Sequence, residues 1–143
     1  MKSISIGICM LALAGTVHGA DAGSPQANYM LHCSGCHGID GSGSPGAGIP
    51  TMRNSLGHFL RVPDGRDFLV QVPGTSQSAL PNGAVAELLN WILKEFSPDE
   101  IPRGAPRYSE LEVAKLRSRP LDDVPAFRAE VVGQLKNIGV TIE

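Results

Sequence analysis

Cys33-Ser34-Gly35-Cys36-His37 places two thiols three residues apart and an imidazole directly after the second. Positions i and i+3 of a helical turn share a face. Both sulfurs therefore reach one edge of a flat ligand while the histidine points at its centre. This is how a porphyrin is bound covalently: the thiols add to its two vinyl groups and the imidazole becomes the proximal ligand of the iron. Two other chemistries use C-x-x-C, a thioredoxin-like redox pair and half of a tetrahedral zinc site. A zinc site needs a second ligand pair, and the remaining cysteine, Cys9, falls in a segment that reads as removed from the mature chain.

That segment is the N-terminus. Met1-Lys2 gives a short basic start, Ile4 to Leu13 is a nearly uninterrupted apolar run, and small residues follow. The run is too short to span a bilayer as a mature helix and fits a secretory signal, with cleavage near Ala20 or Ala22. Cys9 lies inside the apolar run rather than at its small-residue end, which argues against a lipoprotein anchor. Residues 1–22 are thus expected to leave, and no other stretch is apolar enough for a transmembrane anchor. The expected location is periplasmic.

Of the 143 residues, roughly 120 remain after cleavage, enough for one small domain built around a large apolar cofactor. The net charge of −2 and the scattered arginines give no basic run for nucleic acid.

The elements that must position the motif follow in order. Ser24-Pro25 reads as a helix start, a capping serine and then proline at the first helical position. The helix runs through Ala27, Tyr29 and Met30 into the motif, with Tyr29 one turn before Cys33 and expected beside the porphyrin. His32 points elsewhere on the turn and is expected to face solvent. From Gly38 to Pro50 the glycines favour neither helix nor strand, so this is a loop passing close to something bulky. A phosphate-cradling loop fails for want of a Walker lysine and a preceding strand.

Cys33-Ser34-Gly35-Cys36-His37-Gly38, followed by Asp40-Gly41-Ser42-Gly43, resembles the opening of bacterial class I cytochromes c. The resemblance implies an all-α fold, a cytochrome c-type arrangement of helices around one covalently bound haem c. It also implies that the carbonyl of Pro50 meets the other ring nitrogen of His37, fixing its tautomer and raising its basicity. Met52, two positions on, matches an apolar residue that packs on the haem.

The family normally supplies a methionine as second axial ligand, well downstream. Here only Met30 and Met52 survive cleavage, and the equivalent loop, Val72-Pro73-Gly74-Thr75-Ser76-Gln77, has none. His58, Met52 and Gln77 are the candidate distal ligands, with an open or water-bound iron as the fourth possibility. Methionine raises the reduction potential, while an open site admits small gases or peroxide chemistry.

Val62-Pro63-Asp64-Gly65 reads as a turn, with Asp64 or Asp67 capping a short helix. Arg61 and Arg66 are candidate partners for haem propionates, because guanidinium pairs well with carboxylate. The strongest helix is 84–96, capped by Asn82, with Val85, Leu88, Leu89, Ile92 and Phe96 at helical spacing. Trp91 is expected to pack in its core. These elements give a haem domain over 23–98.

Residues 99–143 exceed the family's minimal domain. Ser109-x-x-Glu112 is a capping-box pattern opening a helix to about Arg117. Pro120 interrupts, and Asp122 or Asp123 starts another helix with Val124, Phe127, Val131, Leu135 and Ile138 on one face. This extension is expected to fold back on the haem domain; a partner surface is the alternative.

The expected function is that of a periplasmic electron carrier, not an enzyme. Redox partners would be a dehydrogenase as donor and an oxidase or second cytochrome as acceptor. The alternatives are a haem enzyme or gas and peroxide sensor with an open distal site, and a stable subunit of a dehydrogenase complex.

Overall fold

The computed structural model describes residues 23–142, and over them the chain forms helices and loops with one isolated bridge, Ser44 with Ile49. The signal segment, with Cys9 and the cleavage positions Ala20 and Ala22, lies outside the described residues.

Helix α1 spans Pro25–His32, and the Ser24 hydroxyl caps it by accepting from the Ala27 N–H at 3.2 Å. Pro25 fits the first turn because its missing N–H would have no helical partner there. Cys33 ends α1 and opens the single turn α2, Ser34–His37. Gly38, at φ +77°, stops it. The glycine loop then contains a 3-10 turn at Pro45–Ala47. Its path is fixed at both ends, since the Gly43 N–H donates to the His37 carbonyl at 2.8 Å and the Met52 N–H to the Gly41 carbonyl at 2.8 Å.

Helix α6, Asn82–Phe96, is the central element. Its buried face includes Val85, Leu88, Leu89, Ile92, Leu93 and Phe96, and it packs on α1, on α3 (Leu56–Phe59) and on α7 (Glu110–Arg117). Asn82 is not its cap. Pro81 holds that position, Asn82 is the first helical residue, and its side-chain oxygen accepts from Arg117 Nη1 at 2.9 Å. Against α6, Tyr29 is fully buried, its ring centroid 5.5 Å from Trp91 and 5.0 Å from Phe96. Tyr29 therefore packs behind the C-x-x-C-H turn, and the tryptophan has the core role read for it.

Val62-Pro63-Asp64-Gly65 is a helix start rather than a turn. Val62 is extended at the cap, Pro63 takes the first position, and α4 runs Pro63–Gln71 without a side-chain cap. Asp64 instead accepts from Gln134 Nε2 at 2.6 Å. A short turn, α5 (Pro73–Ser76), follows.

The segment after α6 is stitched down by a buried amide. Asn90 Nδ2 donates to the Tyr108 carbonyl at 3.0 Å, and the Tyr108 N–H donates to Asn90 Oδ1 at 2.9 Å. Ser109 caps α7 by accepting from the Glu112 N–H at 3.3 Å. The Glu112 carboxylate does not turn back to complete a capping box; it takes both arms of the Arg66 guanidinium, at 2.6 and 2.8 Å. Helix α8, Val124–Asn137, is capped by Asp123, which accepts from the Ala126 N–H at 3.0 Å. It packs on α3 and α4, with Val131 and Leu135 fully buried and Phe127 stacked 6.2 Å from Phe68. Ile138, expected on the same face, is 55% exposed. The helix ends at Asn137 and the chain turns at Gly139, φ +81°, so helical periodicity no longer applies.

This packing has measurable consequences. Leu135→Ala lowers stability by about 2–4 kcal/mol through lost transfer energy and a residual cavity, while Ile138→Ala stays within about 0.5 kcal/mol; urea unfolding midpoints separate the two. An added Cβ at Gly41, φ +73°, would lie 2.8 Å from the Phe96 ring, whereas at Gly46 it would meet nothing within 4 Å. Gly41→Ala is therefore expected to destabilise by about 1–3 kcal/mol and Gly46→Ala to leave the midpoint in place. Burial also pushes the Tyr29 phenol from its ordinary 10.0 up to about 12. Between pH 10 and 12 the unfolded chain releases this proton and the folded chain keeps it, so stability falls as pH rises through that window. Tyr29→Phe should flatten the fall between pH 10 and 12; an unchanged slope would count against the burial.

Candidate functional site

Where α1 turns into α2, the structure opens into a cavity of about 840 Å³, within the range of roughly 300–1,000 Å³ typical of ligand and cofactor pockets. Cys33, Cys36 and His37 line it together, as do Pro50 and Met52 from the glycine loop. Leu56 and Phe59 of α3, Phe68 and Leu69 of α4, and Val85, Leu88, Leu89, Ile92 and Leu93 of α6 supply apolar walls. Thr75 and Ser78 add hydroxyls.

The chemical state of the cysteine-histidine edge suits a covalent porphyrin. Both thiols are free, Cys33 half-buried and Cys36 exposed. Burial, and secondarily the neighbouring Cys36, pushes the Cys33 thiol above its ordinary range, so it rests protonated. Burial pulls the His37 imidazole below its usual value, favouring the neutral form that binds metal. His37 Nδ1 is buried without a hydrogen-bond partner, a cost that proteins rarely leave unmet. A large apolar cavity, two thiols on one edge and a neutral imidazole together fit haem. Among the described residues no group of three or more His, Cys, Asp and Glu side chains is placed to hold a metal ion without it.

The hydrogen bond from His37 to the Pro50 carbonyl, implied by the family resemblance, is not formed. That carbonyl lies against Gly43, where an added Cβ would stand 2.5 Å from it, and His37 Nδ1 has no partner. His32 is exposed and reaches only the rim.

The three distal candidates separate clearly. Met52 lines the cavity and packs on the core cluster. His58 and Gln77 are not among the lining residues. On α3, Leu56 and Phe59 are three apart and share the inward face, which turns His58 aside; its Nδ1 accepts from Arg61 Nε at 3.3 Å. Gln77 is the exposed C-cap of α5, although Gly74, Thr75 and Ser78 around it do line the cavity.

Neither arginine read as a propionate partner reaches the site. Arg61 serves His58 and the Glu100 carbonyl, at 3.2 Å. Arg66 is held by Glu112, donates to the Pro106 carbonyl at 2.9 Å and stacks 4.1 Å over the Tyr108 ring. The extension was expected to fold back with Val124 on its apolar face, but sequence reasoning did not single out Pro125 and Arg128, which line the cavity beside Val124. The available signal was spacing: Arg128 lies one helical turn after Val124, along the apolar stripe.

No family model matches the chain, and no solved structure matches it. Among curated proteins it is similar to cytochrome c-552 of Thermus thermophilus, 25% identical over 132 residues that cover 80% of this chain and 96% of that protein. It is equally similar to cytochrome c-552 of a named strain of the same species, at 25% identity over 80% of this chain and 85% of that protein. A likeness covering 80% of 143 residues takes in the C-x-x-C-H segment and the first part of the helical extension.

Proposed function

We propose that this protein is an exported class I-type cytochrome c that carries single electrons. The observation that carries the reading is the joint lining of one apolar cavity by Cys33, Cys36 and His37, and the similarity to cytochrome c-552 supports it. When bound, haem supplies reversible one-electron redox chemistry. The chain's own task is to hold and insulate it. Cys33 and Cys36 would hold it through thioethers, His37 would present a neutral imidazole to it, and the walls from α3, α4 and α6 would exclude water. Pro50 lines the same cavity as His37. Of the three candidate further ligands, Met52 is the one that would be within reach of the group, because it alone lines the cavity.

Residues 1–22 would direct the chain to the periplasm and be removed there, leaving residues 23–98 and 99–143 to function as one unit. No helix among the described residues is long and apolar enough to cross a membrane. Donor and acceptor would be a dehydrogenase and an oxidase or second cytochrome, met in small, transient encounters. The subunit alternative loses ground because the apolar stripe of α8 is buried against α3 and α4. A second reading, an open iron that binds gas or peroxide, draws on the placement of His58 and Gln77 off the cavity.

One preparation tests both readings. Expressed with a cytochrome c maturation system, the wild-type chain should carry one haem resistant to acid-acetone extraction. Cys33→Ala with Cys36→Ala, or His37→Ala alone, should lose stable incorporation. Near-infrared magnetic circular dichroism should show a sulfur-ligated ferric iron that Met52→Leu abolishes. A wild-type ferrous form that binds carbon monoxide rapidly and stoichiometrically would replace the carrier reading with the open-iron one.

A further inference from the structure

The cavity has one feature that the haem-attachment motif does not use. Among the described residues lining it, Arg128 is the sole Lys, Arg, Asp or Glu. It is half-buried, and burial pulls its pKa below the ordinary arginine value. A guanidinium at a largely apolar wall gains from every acceptor that faces it. Its five donors in a planar fork can serve a carboxylate together with another partner.

Haem brings two carboxylates into such a cavity. Its propionates are borne on the half of the macrocycle away from the vinyl groups, so anchoring the vinyl edge at Cys33 and Cys36 directs them to a different wall. Those cysteines stand at the α1–α2 junction, and α1 packs on α6. Arg128 comes from α8, which packs on α3 and α4. None of the other arginines of the described residues lines the cavity, and four of them are held elsewhere: Arg61 and Arg66 as described, Arg53 by Asp40 at 2.9 Å, and Arg117 by the Ser76, Ser78 and Leu80 carbonyls.

We propose that Arg128 binds a haem propionate, so that the C-terminal helix closes the cavity through a guanidinium–carboxylate pair and helps set the reduction potential. This rests on the reading of the cavity as a haem site. The sign of the effect follows from electrostatics. A fixed cation near the iron disfavours the ferric state and offsets the propionate's negative charge, so removing it should stabilise ferric iron and lower the potential.

The test uses the full-length haem-loaded protein, with Arg128→Leu, Arg128→Gln and Arg128→Lys, and with Arg61→Leu and Arg66→Leu as controls. Resonance Raman reads the propionate bending band directly, and redox titration reads the potential. The expected result is a shifted propionate band and a lower potential in the Leu and Gln variants. Arg128→Lys should restore part of the potential, and both controls should keep the wild-type band. A merely structural role for Arg128 would lower thermal stability without moving the band. Should Arg128→Leu fail to fold, the Gln variant, which keeps a polar head of similar reach, carries the comparison. Haem retained with the band and potential unmoved overturns the role of Arg128 alone. A wild-type chain that takes up no covalent haem overturns it together with the function on which it rests.

Discussion

The Tyr29 hydroxyl donates to the Gly38 carbonyl at 2.6 Å from a ring enclosed by Trp91 and Phe96. This bond couples the helix that precedes the C-x-x-C-H motif to the backbone that leaves it, and the aromatic contacts fasten both to α6. A motif of five residues cannot hold two sulfurs and an imidazole in register by itself, since α2 is a single turn and isolated turns do not persist in water. Its geometry is borrowed from the α1–α6 contact. Phe96 also occupies the space a side chain at Gly41 would need, so one aromatic residue fixes the motif from behind and the start of the glycine loop from above.

The loop passes that order on to the cavity. Gly43 bonds to the His37 carbonyl and Met52 to that of Gly41, which brings Pro50 and Met52 to the wall without a helix or strand to carry them. The family-like spacing of Asp40-Gly41-Ser42-Gly43 thus has a local physical cause. Asp40 accepts from the Ser42 N–H at 3.1 Å and pairs with Arg53 across the loop, and the two glycines take positive φ where side chains would collide.

Local interactions were the legible part of this sequence. Ser24, Ser109 and Asp123 cap the helices they were expected to open, because capping involves residues two or three apart and needs no knowledge of the fold. The all-helical class and the buried face of α6 were readable for the same reason. Two local readings failed, the Asn82 cap and the turn at residues 62–65, and so did the assignment of long-range polar partners. Glu112 had a local use, as the second half of a capping box, and a distant one, as acceptor for both arms of Arg66; the charged bidentate pair prevailed. That choice removed Arg66 from the cavity. Tyr29 was placed one turn before Cys33, and the fold set it against Trp91 and Phe96 of α6 rather than in the lining of the cavity, a distinction that periodicity does not make.

The role of the C-terminal extension follows from the same logic of shared walls. Val131 and Leu135 belong to one buried cluster with Tyr29 and the α6 residues, so α8 forms part of the core rather than an appendage laid on its surface. Its N-terminal turn, with Val124, Pro125 and Arg128, then faces the cavity. A porphyrin seated there would touch side chains separated by nearly the whole described chain, from Cys33 to Arg128. Binding energy confined to the native state adds to its stability. Haem attachment, on the proposed reading, and docking of α8 should therefore reinforce each other.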